Sequence, residues 1–276
     1  CRSRSSSRGW ALYESRQEGA EARPDDSGKI GTIVNIRSKG VGSAGINVLI
    51  PALNEMDNLQ DLVPRIHAVM ARSGLHDYEI VVVVESSALD SDLALLESLG
   101  VRALRRQYSD SFGNAVRTGI SSASGARDVT VFMDADGSHD PETIPSLIAA
   151  MADHDVAISS RYVAGGSSEN SYLLRSMSRS LNIAYRVILG LDCHDVSTSF
   201  KAYHTDSLKT LELTCENFDI VEEILVRLSR NSAPAHLRIK EIPDRFHARQ
   251  HGQSKRKLGP FIASYLWTLY RLRRGG

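Results

Sequence analysis

The chain has 276 residues, of which 42% are hydrophobic and 24% charged, an ordinary globular composition with room for one large core or two modest ones. Its 33 basic and 33 acidic side chains balance to a net charge of zero, which argues against a general nucleic-acid binder. Cys1, Cys193 and Cys215 lack CxxC spacing and are typical of a reduced cytosolic chain. Since no apolar run reaches about 18 residues, the sequence predicts no membrane-spanning helix.

Residues 1–44 are rich in Ser, Arg, Gly and acidic side chains, and they predict a disordered N-terminal arm. A stray strand at 31–36 is an open alternative within this arm. From residue 46 the apolar spacing predicts strands and helices in alternation. In chain order these are a strand at 46–51, a helix at 59–70, a strand at 78–84, a helix at 92–99, a strand at 101–105, a helix at 113–122, a strand at 128–134, a helix at 142–152 and a strand at 155–162.

Two details of this pattern bear on the architecture. Pro64 must either kink the first helix or lie in its first turn. The run YEIVVVV is apolar and β-branched throughout, as expected of a parallel strand that is covered on both faces. The sequence therefore predicts an α/β fold with a mostly parallel sheet flanked by helices, and such sheets bind ligands at the carboxyl ends of their strands.

The stretch VFMDADGSHDPE crowds four carboxylates behind an apolar run. Asp134 and Asp136, two residues apart, can both reach one cation, and oxygen ligands suit Mg²⁺ or Mn²⁺ bound to a phosphorylated ligand. A turn at Asp136 followed by a helix cap explains the same residues without a metal. Asp140 and Glu142 are interpreted as the start of the next helix, where the helix dipole favours anions.

The segment PALNE follows the first strand directly. Asn54 and Glu55 could cap the next helix or bind a ligand, and their spacing alone does not decide between the two.

Six segments in register carry a resemblance: VLIPALNEMDNL, GNAVRTGISSASG, VFMDADGSHDP, ISSRY, SFKAY and HGQSKRKLG. Together they resemble the inverting GT-A glycosyltransferases, and most of all the polyprenyl (dolichyl) phosphate mannosyltransferase branch. The resemblance covers residues 46–258, and it implies a GT-A domain at 45–258 that uses Mg²⁺ or Mn²⁺ and a nucleotide-sugar donor.

The resemblance also implies roles for individual residues. Asp134 and Asp136 would hold the metal on the donor diphosphate, with Ser138 as a further metal contact. The donor-binding positions are Pro51, Asn54, Glu55, Glu85, Asp134 and Lys255.

On the acceptor side, Arg161 and Arg249 match positions that bind phosphate in this family, and they join Asp136 as the predicted catalytic residues. Arg175 and Ser178 fall near a further phosphate-binding segment. Surface salt bridges are the alternative for Arg161 and Arg249. A phosphate acceptor is already ionised near neutral pH and needs no general base. His139 is interpreted as a supporting or exposed side chain, with proton transfer as the alternative.

The second strand departs from the family pattern. Its end usually reads Asp-Asp-Gly-Ser, whereas this chain has Val84, Glu85 and Ser86. Glu85 could still accept a hydrogen bond from the base or ribose, but the departure leaves the donor nucleotide open.

Residues 259–276 predict a basic amphipathic C-terminal helix, because from Arg245 onward there are eight Lys or Arg side chains and no Asp or Glu. This helix could lie in a membrane interface or pack on the catalytic core. The sequence therefore predicts a cytoplasmic enzyme, either free or peripheral on the cytoplasmic face of a membrane.

The predicted function is transfer of a sugar from GDP-mannose or a related nucleotide donor to polyprenyl phosphate. Two alternatives stay open. A hydroxyl acceptor would need a carboxylate base, for which Asp219, Glu222 and Glu223 are candidates unless they form the polar face of a helix. A nucleotide-binding protein with weakened catalysis is the second. A Rossmann dehydrogenase is disfavoured, because no GxGxxG follows the first strand.

Overall fold

A computed structural model describes residues 44–232, 236–247 and 267–274. The predicted N-terminal arm and its stray strand lie outside these ranges. The main sheet contains β1 (Ile46–Pro51), β2 (Tyr78–Val84), β3 (Arg102–Arg105), β4 (Val129–Phe132), β5 (Val156–Ser160), β7 (Lys201–His204) and β8 (Ile239–Pro243), and a second small sheet pairs β6 (Ser167–Ser168) with β9 (Arg245–Phe246).

The helices flank the main sheet. They are α1 (Met56–Arg72), α2 (Asp90–Ser98), α3 (Phe112–Ser122), α4 (Ile144–Ala150), α5 (Tyr172–Leu189), α6 (Thr205–Lys209), α7 (Ile220–Asn231) and α8 (267–273), with a 3-10 turn at Pro141–Thr143 before α4. Pro64 lies in the interior of the continuous helix α1, so of the two alternatives the first-turn position is wrong.

The strand order of the main sheet is β3-β2-β1-β4-β7-β5-β8, and all neighbouring pairs are parallel except those of β7. Alternate residues of the central strands pack into two separate hydrophobic cores. Val48 and Ile50 of β1 pack on the α1 side, and Leu49 packs on the side of α3 and α7. Each fully buried aliphatic side chain stabilises the fold by about 1.5–3 kcal/mol. Burial of the apolar residues on both faces of these strands therefore accounts for the helices that cover both sides of the sheet. The predicted mostly parallel sheet flanked by helices is confirmed.

Strand β7 runs against its neighbours, which the sequence did not indicate. Phe132 of β4 pairs with Lys201, and Val156 of β5 pairs with Tyr203, both in antiparallel register. The residues that precede β7 therefore reach the same edge of the sheet as the residues that follow β4 and β5. None of the described helices is both long and apolar enough to cross a bilayer.

Candidate active site

Two carboxylates follow the carboxyl end of β4. Asp134 and Asp136 are both half-buried. Gly137 has a φ of 73°, and the turn that it makes brings Ser138 back to Asp136, whose Oδ1 accepts the Ser138 backbone N–H at 3.1 Å and its hydroxyl at 2.5 Å. The Oδ1 atom of Asp134 is buried and has no hydrogen-bond partner. A buried carboxylate oxygen in this state is costly unless a ligand completes it.

The residues at this strand end fit a divalent cation. Among the residues that the structure describes, no group of three or more His, Cys, Asp or Glu side chains could hold a metal by itself. Mg²⁺, however, usually takes one or two protein carboxylates together with water and substrate phosphates, which Asp134 and Asp136 can match. Asp134 also lines a small cavity with Pro51 and Ser199, and the buried Ser199 hydroxyl likewise lacks a partner. The predicted role of Ser138 as a metal ligand stays a prediction, since its hydroxyl donates to Asp136.

His139 supports Asp134 through a hydrogen bond to its backbone. Its Nδ1 accepts the backbone N–H of Asp134 at 3.2 Å, so the ring proton of the neutral form belongs on Nε2. The ring stacks on Phe200 at a centroid distance of 5.0 Å and lies nearly perpendicular to the ring of Phe246 at 5.6 Å. Because His139 is buried and held on three sides, the structure supports its interpretation as a supporting side chain.

The remaining two carboxylates of the motif are structural, as predicted. Asp140 accepts the backbone N–H of Glu142 at 3.2 Å, which caps the 3-10 turn, and it also pairs with Arg65 at 3.3 Å. Glu142 pairs with Arg72 at 2.5 Å.

The segment after β1 turns toward the end of β2. Asn54 has a φ of 54°, and its backbone N–H donates to Oε2 of Glu85 at 3.3 Å. Glu55 stands at the N-cap position of α1 without capping it through its side chain, and it accepts a hydrogen bond from Asn58 at 2.6 Å. The helix-cap explanation of PALNE is therefore wrong for both side chains. Pro51 ends β1 beside Asp134.

A carboxylate that was not predicted from the sequence lies against the end of β2. Asp110, which precedes α3, accepts the Ser86 backbone N–H at 2.7 Å and the Ser86 hydroxyl at 3.1 Å. The backbone hydrogen bond is the main cause of a lowered pKa of Asp110. Position 110 is distant in sequence from the departing motif at 84–86, and its loop gave no periodic signal.

A buried guanidinium joins the ends of β3 and β1 to the loop that contains Asp110. Arg106, at the end of β3, is 4% exposed and donates to the backbone oxygens of Ala52 and Asp110, at 2.5 Å each. Burial lowers the pKa of Arg106, while the Asp110 and Glu85 carboxylates oppose that shift. Arg106 was not predicted from the sequence either, because an arginine directly after an apolar strand is usually interpreted as an exposed residue.

Arg161 follows β5 at the same edge. Its Nε and Nη2 donate to the two carboxylate oxygens of Asp195 at 2.8 and 2.7 Å, and Nη2 also donates to Ser197 at 3.0 Å. The guanidinium lies 5.1 Å from the ring centre of Tyr162 and 5.4 Å from that of Phe246. Arg161 thus forms an ion pair, but with a buried partner rather than as part of a surface salt bridge.

The other predicted acceptor residues are less defined. Arg175 is exposed and Ser178 half-buried on α5. Arg249 and Lys255 lie outside the described residues, so their roles stay predictions.

The three carboxylates considered as a general base are buried, so their assignment to the polar face of an amphipathic helix is wrong. Glu222 and Glu223 of α7 are fully buried, as is nearly all of Asp219. Glu223 accepts the backbone N–H groups of Thr214, at 2.9 Å, and Cys215, at 2.8 Å.

A lysine is fully buried in the same core. Lys201 of β7 donates to the backbone oxygens of Val196 and Thr198, which fixes the turn before the strand. Burial lowers the pKa of Lys201 to about 8, against the opposing effects of Glu222 and Asp195.

The described part of the C-terminal helix has two faces. Leu269 and Leu272 are buried in the core on the α3 and α7 side, whereas Trp267 and Tyr270 are exposed. Packing on the core is therefore observed for one face, and the proposed membrane contact concerns the other. Residues 259–266 lie outside the described ranges.

These features match a known class. A glucosyl-3-phosphoglycerate synthase from Mycobacterium tuberculosis, solved with Mn²⁺, UDP and phosphoglyceric acid, superposes with a TM-score of 0.64 at 20% identity, covering 91% of this chain and 84% of that one. The architecture is thus the GT-A fold of glycosyltransferases. The chain belongs to glycosyl transferase family 2, whose model matches residues 47–212.

Curated relatives are more similar in sequence. A dolichol-phosphate mannosyltransferase of Pyrococcus furiosus is 36% identical over 82% of this chain. An undecaprenyl-phosphate mannosyltransferase of Micrococcus luteus is 32% identical over 75% of this chain and 85% of its own length. The chain spans 63% of the length of the Pyrococcus protein.

Proposed function

We propose that this chain is a metal-dependent inverting glycosyltransferase that moves a sugar from a nucleotide diphosphate to a polyprenyl phosphate. The observation that carries the proposal is the distribution of charge at the sheet edge. Two carboxylates at the end of β4 suit a cation, and an arginine at the end of β5 suits a phosphate. The candidate bases on and before α7 are buried in the fold. An acceptor that is already ionised needs no base.

Donor binding is assigned to the ends of β1, β2 and β4. When bound, Mg²⁺ or Mn²⁺ would neutralise charge on the leaving diphosphate. Asp134 and Asp136 would hold it, and His139 keeps the Asp134 backbone in place. Pro51, Asn54, Glu55 and Glu85 would line the nucleoside side, with Lys255 as a further donor contact.

Acceptor binding is assigned to cations, because two phosphorylated substrates repel each other unless positive charge separates them. Arg161 and Arg249 would bind the acceptor phosphate, with Arg175 and Ser178 nearby. The similarity to two polyprenyl-phosphate mannosyltransferases supports this acceptor class and favours a mannosyl donor.

A transfer assay tests the proposal. The 276-residue chain is incubated with undecaprenyl phosphate in detergent micelles, Mn²⁺ or Mg²⁺, and a panel of GDP- and UDP-sugars. We expect a glycosylated lipid phosphate from one donor, and no product after EDTA. Transfer only to a sugar hydroxyl would overturn the acceptor assignment. Failure of GDP and UDP to bind in calorimetry with Mn²⁺, together with no transfer, would overturn the enzymatic proposal.

The acceptor class also supports a peripheral membrane contact, on the cytoplasmic face. Helix α5 contains no acidic residue, and it exposes Tyr172, Ile183 and Val187 beside Arg175 and Arg179. Such a face suits a bilayer with anionic lipids. Arg273 of α8 donates to the backbone oxygen of Ile188 in α5 at 3.0 Å, so the C-terminal end of α8 contacts α5.

Flotation with vesicles of neutral lipid, with and without anionic lipid, tests this contact. The double substitution Ile183→Ser and Val187→Ser should reduce binding to anionic vesicles. Leu89→Ser is the matched control, because Leu89 is an exposed apolar side chain of another surface region. Equal binding of the α5 variant and the control would exclude α5 as the contact, and removal of 259–276 tests the C-terminal helix in the same way.

A further inference from the structure

We propose that Asp195 is a positioning residue that holds the Arg161 guanidinium in place for the acceptor phosphate. The inference rests on the proposed function, since it assumes that Arg161 meets this phosphate. No sequence motif had drawn attention to Asp195, which lies in the segment before β7.

Three hydrogen bonds join Arg161 to the Asp195 carboxylate. Oδ2 of Asp195 accepts the Arg161 backbone N–H at 3.0 Å and Nε at 2.8 Å, and Oδ1 accepts Nη2 at 2.7 Å. A bidentate pair fixes the plane of the guanidinium as well as its position. The Nε–Nη2 edge therefore points at Asp195, and the pair holds the guanidinium in one orientation.

The surroundings make this orientation rigid. The Asp195 side chain is 0% exposed and that of Arg161 is 11% exposed. The backbone N–H of Asp195 donates to the Glu241 carboxylate at 3.0 Å, which ties the segment to β8. Ser197, which accepts from Arg161, also accepts from Asn182 of α5 at 3.2 Å.

The pair is connected to the donor side of the site. Arg161 lies over the Phe246 ring at 5.4 Å, and the same ring meets that of His139 at 5.6 Å with the two planes nearly perpendicular. His139 in turn accepts the backbone N–H of Asp134. A chain of packed groups thus runs from the candidate metal ligand to Arg161, which places the arginine at the edge where the acceptor must approach.

A purely structural role is the competing explanation, and the molecule contains a control pair with the same hydrogen-bond geometry and greater exposure. At the opposite end of β5, Asp155 binds Arg238 through the same three donors, with distances of 2.8 Å to the backbone N–H, 3.2 Å to Nε and 2.7 Å to Nη2. This second pair lies at the edge of the sheet away from the candidate site. Any effect common to both pairs is therefore structural.

The experiment compares Asp195→Asn with Asp155→Asn in the full chain. Initial rates are measured with undecaprenyl phosphate and the active donor, each varied separately. For Asp195→Asn we expect KM for the lipid phosphate to rise about 10- to 100-fold, because two charged hydrogen bonds to Arg161 are weakened. The KM for the donor should change less than about twofold, since the metal carboxylates are untouched. Asp155→Asn should leave both values unchanged.

A milder variant covers the case in which Asp195→Asn does not fold. Ser197→Ala removes one acceptor of Arg161 and should raise only the KM for the lipid phosphate, by about threefold to tenfold. An unchanged acceptor KM in the folded variants would overturn the inference, and so would an equal rise in both KM values. Failure of the unsubstituted protein to transfer sugar to lipid phosphate would instead overturn the proposed function.

Discussion

The carboxyl ends of β4 and β2 lie two strands apart at one edge of the sheet, separated by about 10 Å, and their carboxylates are in different states. At β4, Asp134 keeps a buried oxygen without a partner, and the nearby turn supports Asp136 locally. At β2, Ser86 engages both oxygens of Asp110, and the Arg106 charge lies close by.

The difference separates a strand end with an unpartnered buried carboxylate oxygen from one where hydrogen bonds within the chain engage both carboxylate oxygens. The proposed cation would complete the β4 end, since Oδ1 of Asp134 is buried there without a hydrogen-bond partner. The β2 end is internally balanced, so it would meet the nucleoside through shape and individual hydrogen bonds. Substitutions at the two ends should therefore fail in different ways.

The largest effect is expected at β4. Asp134→Asn should reduce transfer by about 100-fold or more, because it removes the charge of a proposed metal ligand while keeping the side-chain shape. Activity is measured at saturating donor over a range of Mn²⁺ concentrations. Asp140→Asn, in the same motif, is the control and should retain most activity. Equal losses in the two variants would contradict the division of this motif into binding and structural carboxylates.

The next effect is one of stability, at Arg106. Arg106→Lys should lower the free energy of unfolding by about 2–4 kcal/mol, because buried backbone oxygens lose the guanidinium that joins them. Urea denaturation provides the measurement. Arg105→Lys is the matched control, since Arg105 lies next in the chain and is 37% exposed. If both variants had the same stability, Arg106 would not be the support of this strand end.

A smaller effect is expected for Asp110. Asp110→Asn keeps one acceptor for Ser86 and loses the other, so nucleotide affinity should fall about threefold to tenfold. Calorimetry with the preferred nucleoside diphosphate and Mn²⁺ measures it. Asp90→Asn removes another exposed carboxylate near the same edge and should change nothing. An unaltered affinity in Asp110→Asn would mean that the Ser86 loop does not meet the nucleotide.

The smallest effect is expected for Glu85. Glu85→Gln keeps an oxygen for the Asn54 N–H, so nucleotide affinity should fall only about twofold to threefold. Competition binding with GDP and UDP measures this affinity in the variant and in the unsubstituted protein. Tighter binding in this variant would show that Glu85 opposes the donor and would remove it from the proposed binding residues.

The sequence predicted the strands best where hydrophobicity is continuous. The predicted bounds of β1 and β2 agree with the structure. A short apolar, β-branched run between turn signals is typical of a strand that is buried on both faces. Strand β7 was not predicted, because its four residues KAYH include a lysine that only the finished core explains. A buried ammonium bound to two carbonyl groups leaves no periodic signal in the chain.

The candidate site divides in the same way. Asp134 and Asp136 could be found because both lie in one short motif. Asp195 and Asp110 could not, because each acts on a residue 34 or 24 positions away, Arg161 and Ser86. Such pairings depend on which loops the fold brings together, and a single sequence does not contain that information.

The reversed direction of β7 has a consequence for how this fold could diversify. In an all-parallel sheet, each loop at the working edge starts where a strand ends. Here the segment before β7 reaches that edge from the other direction, so it is anchored at its far end by β7 and at its near end by α5. Insertions or replacements in this segment can remodel the acceptor side while the strands that present Asp134 and Asp136 keep their register. Natural variation in lipid or glycan preference should accordingly concentrate between α5 and β7.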